Sequence, residues 1–346
     1  MKILITGGAG FIGTNVALFH LEKKDEVVII DNLSRKGTEI NLRLLKKFPN
    51  LKFYKTDIRD KEKVNKIFSK YKNKIDIVYH LAAQVAVTTS VIKPYEDFEI
   101  NILGTINILE AVRKFCPKTF LIFSSTNKVY GGMENVRLVL KNGKYQYTDY
   151  PRGIAEDFNL DFHSPYGCSK GAADQYVRDY HRIYGLNTVV FRQSCIYGEN
   201  QFGVEDQGWV AYFTIAAILD LPITIYGDGK QVRDILYIED LIRAYDLSYK
   251  FRKKVNGEIF NIGGGIENQT SILGFVKFIE HKLNKKIKYK FSDWRPGDQK
   301  IFVSDNSKLE KVLKWKVLWN KEKGLDRLIE WVKRNVDIIK KFVKFS

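Results

Sequence analysis

A tyrosine and a lysine stand four residues apart in this chain, at Tyr166 and Lys170, directly after Ser164-Pro165. Serine is favoured at the position that caps a helix and proline at the first helical position, so the sequence predicts a helix that starts here and carries both side chains on one face. An ammonium group beside a phenol stabilises the phenolate and lowers its pKa from about 10. The pair could therefore act as a general base toward a hydroxyl group.

Three glycines near the amino terminus, Gly7, Gly10 and Gly13, follow a predicted strand and open a predicted helix. Glycine permits a tight turn and a close approach to a pyrophosphate, whose charge is met by amides at the helix N-terminus. Asp31 comes eighteen residues after Gly13, near the offset of about 20 at which an acid binds the ribose of a dinucleotide. A carboxylate repels a 2′-phosphate, so we predict NAD rather than NADP, although Arg35 could pair with a phosphate.

These residues need a sheet that brings the ends of its strands together. Short β-branched runs alternate with helical patterns through the first half of the chain, which predicts βαβ units. The predicted strands are 2–6, 26–30, 52–55, 75–80, 119–124 and 188–192. Open α/β sheets place their active crevice at the carboxyl ends of the strands. Asp57, Gln84 and Thr126 follow or end three of these strands, and Thr126 could hydrogen-bond a reacting hydroxyl group.

The expected fold class is α/β, with a Rossmann-like doubly wound parallel sheet and a smaller α+β substrate-binding lobe. Beyond residue 198 the pattern becomes irregular, apart from a predicted helix at 209–219. We predict an NAD-binding domain from 1–192 plus 233–263, and a substrate-binding lobe from 193–232 plus 264–346.

An insertion between Gly131 and Pro165 contains Asn142-Gly143 between apolar and aromatic residues, which is a strong hairpin signal. Two interpretations of this hairpin stay open. It is either a lid that faces the substrate or an inert surface or dimer-contact hairpin.

Composition excludes several classes of protein. Hydrophobic residues make up 45% and charged residues 28% of the 346 residues, as in globular proteins. The longest largely apolar stretch, 209–219, is shorter than the roughly 20 residues of a bilayer span, and the first apolar run is too short for a signal-peptide core. We therefore expect a cytoplasmic protein. Three widely spaced cysteines match neither a disulfide framework nor a zinc pattern, so we predict reduced thiols and no metal site.

The net charge of +17 raises the question of an acidic partner. The lysines are scattered over predicted helix surfaces without interleaved aromatic residues, which favours a solvated surface over nucleic-acid binding. The basic segment 325–345 could lie on a membrane. A terminal helix that packs inward is the preferred interpretation. Its inward side chains would be Leu328, Val332, Val336 and Ile339.

Several motifs together resemble the extended short-chain dehydrogenases that modify nucleotide sugars. The motifs cover nearly the whole chain and lie at 7–13, 31–35, 80–84, Asn101, 124–131, 166–170, 227–234, 260–263 and 295–299. The resemblance implies that Tyr166 is the acid/base, that Lys170 holds the nicotinamide ribose, and that Thr126 completes a catalytic triad. It also implies that Arg233 and Arg295 bind the nucleotide diphosphate, for which the planar charged fork of arginine is suited.

Two sets of binding residues follow from the motifs and the resemblance. The expected cofactor contacts are Gly7, Gly10, Phe11, Ile12, Gly13, Asp31, Asn32, Ser34, Arg35, Asp57, Ile58, Leu81, Ala82, Ala83, Gln84, Asn101, Ser124, Tyr166 and Lys170. The expected substrate contacts are Thr126, Asn127, Ser194, Cys195, Gln207, Tyr226, Arg233, Arg295 and Asp298.

The residues after Thr126 reduce the number of reactions that the site could catalyse. In the 4,6-dehydratases of this family an Asp-Glu pair follows the threonine and moves protons during water loss, whereas this chain has Asn127-Lys128. An amide and an ammonium group cannot supply that carboxylate chemistry. The glutamate common in related decarboxylases is also missing. One departure from the wider epimerase pattern is Cys195, where many relatives have an asparagine with a stronger hydrogen-bond donor.

The segments 124–131, 161–176 and 206–210 resemble the CDP-paratose 2-epimerases of this family. That resemblance implies transient oxidation of a sugar hydroxyl to a ketone, with NAD, and re-reduction on the opposite face. The substrate is expected to be a small nucleotide-diphosphate sugar, bound without nucleic acid or membrane, and the enzyme is expected to be a homodimer or homotetramer. A UDP-hexose 4-epimerase is the main alternative. A non-catalytic nucleic-acid-binding protein of dehydrogenase type is a distant one.

Overall fold

The structure is a computed structural model that describes residues 1–295 and 297–344. Pro296 of the predicted phosphate-binding motif, Phe345 of the predicted terminal helix and Ser346 lie outside the described residues. The strands are β1 (Lys2–Thr6), β2 (Glu26–Asp31), β3 (Leu51–Lys55), β4 (Ile77–His80), β5 (Phe120–Thr126), β6 (Leu138–Lys141), β7 (Lys144–Tyr147), β8 (Asn187–Gln193), β9 (Cys195–Tyr197), β10 (Ile223–Tyr226), β11 (Val232–Tyr237), β12 (Glu258–Ile262), β13 (Gln269–Ser271), β14 (Tyr289–Ser292) and β15 (Ile301–Phe302).

Fourteen α-helices connect and cover these strands in the part of the chain that is described. They are α1 (Phe11–Glu22), α2 (Thr38–Leu45), α3 (Lys61–Lys70), α4 (Val87–Ile92), α5 (Pro94–Phe98), α6 (Gly104–Phe115), α7 (Ser164–Tyr184), α8 (Trp209–Ile218), α9 (Ile238–Lys250), α10 (Arg252–Val255), α11 (Ile272–Leu283), α12 (Ser307–Leu313), α13 (Lys321–Arg334) and α14 (Val336–Lys344). A π-helical turn occupies Glu99–Leu103 and a 3₁₀ turn Asn127–Tyr130.

The central feature is a seven-stranded parallel sheet in the order β3-β2-β1-β4-β5-β8-β12. All six strands predicted in the first half of the chain are present, with boundaries shifted by at most two residues. Both faces of the sheet are covered, because Ile3 and Ile5 belong to one buried cluster and Leu4 to another. A parallel sheet with two covered faces accounts for its nearly continuous apolar strands. The predicted Rossmann-like fold is confirmed.

Two layers of helices enclose the sheet. On one side pack α1 and α9, and on the other pack α3, α6 and α7. The strand order changes direction between β1 and β4, so the loops after these two strands diverge and leave a crevice at their carboxyl ends. The glycine segment 7–13 meets Thr126, Tyr166 and Lys170 in this crevice.

A smaller lobe is built from parallel and antiparallel strands that follow β8 along the chain. β11 pairs parallel with β9 and β15 and antiparallel with β13, while β10 pairs parallel with β14. The helix predicted at 209–219 is present as α8. The division into 1–192 plus 233–263 and 193–232 plus 264–346 stays a prediction.

The predicted hairpin is present as β6 and β7, joined at Asn142 and Gly143 with φ angles of 52° and 71°. Positive φ at both positions is typical of a type I′ turn. The hydroxyl of Tyr145 donates to Asp228 Oδ2 at 2.7 Å, and that of Tyr147 to the carbonyl of Ile301 at 3.2 Å. The hairpin thus packs on the smaller lobe. Its described strand residues do not line the central cleft, which favours the surface hairpin over the lid.

The C-terminal segment folds back onto the protein. Leu328, Val332 and Ile339 are fully buried, whereas Val336 is only partly covered. The inward-packing interpretation of this segment is therefore confirmed for three of its four side chains. Among the helices described, none is both long enough and apolar enough to cross a membrane.

Candidate active site

The glycine segment makes a tight turn between β1 and α1. Gly7 has a φ of 69°, and a Cβ atom there would lie 2.7 Å from the amide nitrogen of Ala82. A Cβ atom on Gly13 would lie 2.2 Å from the carbonyl oxygen of Gly7. The cap of α1 is Gly10, which forms no side-chain capping hydrogen bond. The first amides of α1 are therefore available to a phosphate group.

Asp31 ends β2 beside this turn. Its carboxylate accepts hydrogen bonds from the amides of Ala9 at 3.0 Å and Leu33 at 2.8 Å. Burial raises the pKa of Asp31, and the two amide contacts oppose that shift. Arg35, four residues later, donates from Nη2 to Gln207 Oε1 at 2.5 Å. Arg35 thus joins the cofactor half of the cleft to a loop that precedes α8.

A second carboxylate lies behind the first. Asp57 Oδ2 accepts from Asn32 Nδ2 at 2.9 Å and from Arg59 Nη2 at 2.9 Å. Burial alone would raise the pKa of Asp57, but the hydrogen bonds from Arg59 outweigh it and hold the pKa at about 2. Asn32 Oδ1 in turn accepts from the amide of Ser34 at 3.0 Å. Together with Ile58, these residues form the wall of the cleft past the end of β3.

Asn101 lies behind the cleft wall. Its side chain accepts from the amide of Gln84 at 2.9 Å and donates to the carbonyl of Gln84 at 3.1 Å, so it fixes the segment after β4. The predicted direct contact of Asn101 with the cofactor is not supported, because this side chain is buried and absent from the described cleft lining. The π-helical turn places Asn101 beside the buried carboxylate of Asp97, which also accepts from Gln84 Nε2 and Ser169 Oγ.

The helix that carries the catalytic pair starts as predicted. Ser164 Oγ accepts from the amide of Gly167 at 3.2 Å, as a capping serine does. Tyr166 and Lys170 both face the cleft, and Thr126 lines it from the end of β5. Lys170 Nζ donates to the carbonyl oxygen of Ser124 at 2.6 Å. The three predicted catalytic side chains are therefore in one place.

The ionisation of the pair differs from the sequence-based expectation. Burial raises the pKa of Tyr166 to about 12, although a hydrogen bond with Thr126 and the charge of Arg35 lower it. Burial lowers the pKa of Lys170 to about 7. The expected lowering of the tyrosine pKa by the lysine is wrong for the protein by itself, because the ammonium group is directed at Ser124 and the carboxylate of Asp97 raises the phenol pKa further.

Two arginines line the part of the cleft formed by the smaller lobe. Arg233 is almost fully buried and donates from Nη2 to Asp298 Oδ1 at 2.7 Å. The guanidinium of Arg295 stacks over the ring of Tyr226, 3.8 Å from its centroid, and lies 3.4 Å from Asp206. Stacking leaves the edge of a guanidinium free to form paired hydrogen bonds. Both arginines line the cleft, and their contact with a diphosphate stays a prediction.

The remaining predicted substrate contacts all line the cleft. The hydroxyl of Ser194 is hydrogen-bonded to the buried carboxylate of Asp234. Cys195 Sγ accepts from Trp209 Nε1 at 3.4 Å, and burial raises the pKa of this thiol. Cys195 is therefore a partly buried neutral thiol and a poor donor for a phosphate.

The catalytic segment after Thr126 is tied to the segment after Arg295. Asn127 Nδ2 donates to Gln299 Oε1 at 3.2 Å, and Gln299 Nε2 donates to the carbonyl of Gly131 at 2.6 Å. Lys128 Nζ donates to the carbonyl of Gly297 at 3.1 Å. From the sequence, Lys128 was compared only with the carboxylate of the dehydratases, and its place in the cleft wall was not predicted. A lysine two residues after Thr126 was the available signal.

The predicted residues surround one cleft with a volume of about 830 Å³. Every predicted cofactor and substrate residue lines it except Asn101. The glycine turn has no room for a side chain at Gly13, and an acid stands at the end of β2. Backbone approach to a pyrophosphate and a carboxylate for a ribose are what a dinucleotide requires, so the residues fit NAD.

Comparison with known proteins gives full-length matches. A family model described as GDP-mannose 4,6 dehydratase matches residues 4–328. A CDP-paratose 2-epimerase from Salmonella typhi is 45% identical over 336 residues, which are 96% of this chain and 99% of that protein. The structure of UDP-glucose 4-epimerase with UDP-glucose from Thermotoga maritima has a TM-score of 0.83 and 33% identity, and the match covers 97% of this chain and 100% of that chain. UDP-glucuronic acid 4-epimerase from Bacillus cereus, in complex with UDP-glucuronic acid and NAD, has a TM-score of 0.82 and 30% identity, with 96% and 99% covered.

Proposed function

We propose that this chain inverts carbon 2 of a CDP-linked hexose. It belongs to the family of NAD-dependent nucleotide-sugar epimerases and dehydratases, whose GDP-mannose 4,6 dehydratase model matches it. The chain is an NAD-dependent nucleotide-sugar epimerase. The proposed reaction converts CDP-paratose to CDP-tyvelose, with CDP-glucose to CDP-mannose as a second pair. The relative from Salmonella typhi, which bears the name of this activity, supports the choice of substrate.

The observation that carries epimerisation over dehydration is the pair that follows Thr126. Asn127 and Lys128 both line the cleft and both bond to the segment 297–299. Water loss needs a carboxyl group at this point to move protons, and neither side chain has one. A cleft that holds a tyrosine base but lacks that acid supports oxidation and re-reduction over dehydration.

The chain's residues divide the work as follows. When bound, NAD supplies the acceptor and then the donor of the sugar carbon's hydride. The positive charge of bound NAD would favour the phenolate form of Tyr166. This phenolate takes the hydroxyl proton as the ketone forms and returns it as the ketone is reduced. Thr126, whose hydrogen bond lowers the phenol pKa, keeps that proton path in place. Arg233 and Arg295 hold the diphosphate while the hexose turns its opposite face, so configuration inverts without net redox change.

A direct test is to incubate the NAD-loaded enzyme with CDP-glucose and follow the sugar by NMR without added reductant. We expect signals of CDP-mannose to appear. No 2-epimer from either CDP-glucose or CDP-paratose would refute the proposal. Conversion of UDP-galactose to UDP-glucose in a parallel sample would instead establish the UDP-hexose 4-epimerase.

The role of Tyr166 is tested by Tyr166→Phe, which should abolish turnover and leave NAD bound. The matched control is Tyr176→Phe, because Tyr176 lies on the same helix and is exposed outside the cleft. Near-normal turnover by Tyr166→Phe would remove this residue from the proposed role.

A homodimer is part of the proposal. Three large apolar side chains are strongly exposed on helices that pack together: Ile92 on α4, Tyr95 on α5 and Ile183 on α7 are 79%, 74% and 65% exposed. Large exposed apolar side chains on packed helices offer a surface that a protein partner can cover. A second copy of the chain would cover them by twofold symmetry, the commonest arrangement of soluble oligomers.

A further inference from the structure

Lys128 occupies a position between the reacting groups and the diphosphate side of the cleft. It lies two residues after Thr126, on the 3₁₀ turn Asn127–Tyr130, and its side chain is 17% exposed. Its ammonium nitrogen lies 3.1 Å from the carbonyl oxygen of Gly297 and 3.9 Å from Asp298 Oδ1. An ammonium group has three hydrogen-bond donors. The contact with Gly297 uses one of them, and the distance to Asp298 is too long for a second hydrogen bond.

The charges around Lys128 are unbalanced. Asp298 is already hydrogen-bonded to Arg233 at 2.7 Å, so one carboxylate lies between two cations. Asp298 is the one carboxylate within 4 Å of this partly buried cation among the described residues. A cation that shares its carboxylate in this way gains from a further oxygen ligand. Such a ligand must come from the contents of the cleft, because the ammonium group lies on the cleft wall.

We propose that Lys128 binds the hexose of the nucleotide sugar and is a specificity-determining residue of this enzyme. The inference rests on the proposed function, because it takes the substrate to be a nucleotide sugar. The hexose joins the diphosphate to the reacting carbon. Lys128 stands at the corresponding place, next to Thr126 on one side and to the Arg233–Asp298 pair on the other. A hydrogen bond from the ammonium group to a sugar hydroxyl would select the hydroxyl that faces Tyr166.

The test distinguishes binding of the sugar from binding of the nucleotide. The affinities of the NAD-loaded enzyme for CDP and for CDP-glucose are measured by calorimetry with Lys128→Met and Lys128→Arg. A hydrogen bond to a charged group corresponds to roughly a tenfold to hundredfold change in affinity. We expect Lys128→Met to lower the affinity for CDP-glucose by that factor and the affinity for CDP by less than about twofold. Lys128→Arg keeps the charge and should recover part of the loss.

Two outcomes would overturn the inference. An equal loss for CDP and CDP-glucose would show that Lys128 binds the diphosphate and leaves the hexose alone. Unchanged affinity for both would show that Lys128 only fixes the segment at Gly297. Bound NAD and an unchanged unfolding midpoint in Lys128→Met establish that the variant is folded. If the wild-type enzyme binds UDP-glucose and not CDP-glucose, the CDP assignment fails, and the same comparison is made with UDP and UDP-glucose.

A pH series gives an independent readout. Burial lowers the pKa of Lys128 to about 8, with Arg233 lowering it and Asp298 and Cys195 raising it. The ammonium form exists below that pH and is lost above it. The ratio of CDP-glucose to CDP affinity in the wild-type enzyme should therefore fall from pH 7 to pH 9. In Lys128→Arg the ratio should stay level, because arginine remains charged. A parallel fall in both proteins would contradict the inference.

Discussion

The ion pair between Asp174 and Arg192 offers the clearest test of how the catalytic helix is held to the sheet. Arg192, on β8, donates from Nε and Nη2 to the two carboxylate oxygens of Asp174 at 3.0 and 3.1 Å. Asp174 lies on α7, one turn after Lys170, and also accepts from Ser125 Oγ at 2.7 Å. The side chains of Arg192 and Asp174 are 3% and 0% exposed. The substitution Asp174→Ala would therefore leave a buried guanidinium without its carboxylate.

The expected loss is large. Removing one partner of a buried ion pair costs about 3–5 kcal/mol, because the remaining charge is uncompensated. The entropy of unfolding, at about 2.1 cal/mol/K per residue, amounts to roughly 0.7 kcal/mol/K for this chain of 346 residues. The same loss thus lowers Tm by roughly 4–7 °C. Urea unfolding followed by circular dichroism gives the free energy, and calorimetry gives Tm.

A matched control exists in the hairpin insertion. Arg137 donates from Nε and Nη2 to the two oxygens of Asp149 at 3.0 and 2.8 Å, so the geometry is the same. The side chains of this pair are 77% and 40% exposed. Exposed ion pairs contribute little to stability. We expect no measurable change of Tm in Asp149→Ala. Equal effects of Asp149→Ala and Asp174→Ala would refute the argument from burial.

Three further predictions follow from single residues. Gly13→Ala would place a Cβ atom 2.2 Å from a backbone oxygen of the glycine turn, so a fluorescence titration should show that NAD binding is lost. The control is Gly185→Ala, which should bind NAD normally because a Cβ atom there has no neighbour within 4 Å. The pKa of Asp57 is held at about 2, below its ordinary 3.8, so its stabilising effect is present above about pH 4 and lost as pH falls toward 2. Urea unfolding of Asp57→Asn should therefore differ from wild type at pH 5 and converge with it near pH 2, and a constant difference would contradict the shift. Ile183→Asp should give a monomer in light scattering, while Leu318→Asp, at a side chain 64% exposed in a loop, should not change the mass.

Local patterns predicted most of the scaffold. The alternation of β-branched runs and helices predicted the parallel sheet, because both faces of its strands are buried. Ser164-Pro165 predicted the start of the catalytic helix, and Asn142-Gly143 predicted a turn that needs positive φ at both residues. Each of these signals acts within a few residues of the chain. The conformational preferences of neighbouring residues were therefore enough to predict these elements.

The features that could not be predicted from the sequence depend on contacts between distant segments. The bond between Asn127 and Gln299 spans 172 residues, and no spacing rule connects them. Asn101 was expected in the cofactor site, whereas the π-helical turn places it behind Gln84. The ionisation of Tyr166 was also missed, since burial and the carboxylate of Asp97 outweigh what neighbouring residues on one helix suggest. Burial is a property of the assembled fold.

The hydrogen bond between Arg35 and Gln207 has a consequence for the order in which ligands leave. Arg35 follows the strand that ends in Asp31, and Gln207 precedes α8, so this contact joins the two halves of the cleft. If the dinucleotide and the sugar nucleotide both bind more tightly when this contact is formed, each raises the affinity for the other by the same factor, since thermodynamic linkage is reciprocal. An epimerase must keep its dinucleotide through two opposite half-reactions. Two ligands that both favour this contact would hold each other in place, so the dinucleotide would stay bound for as long as the sugar is present.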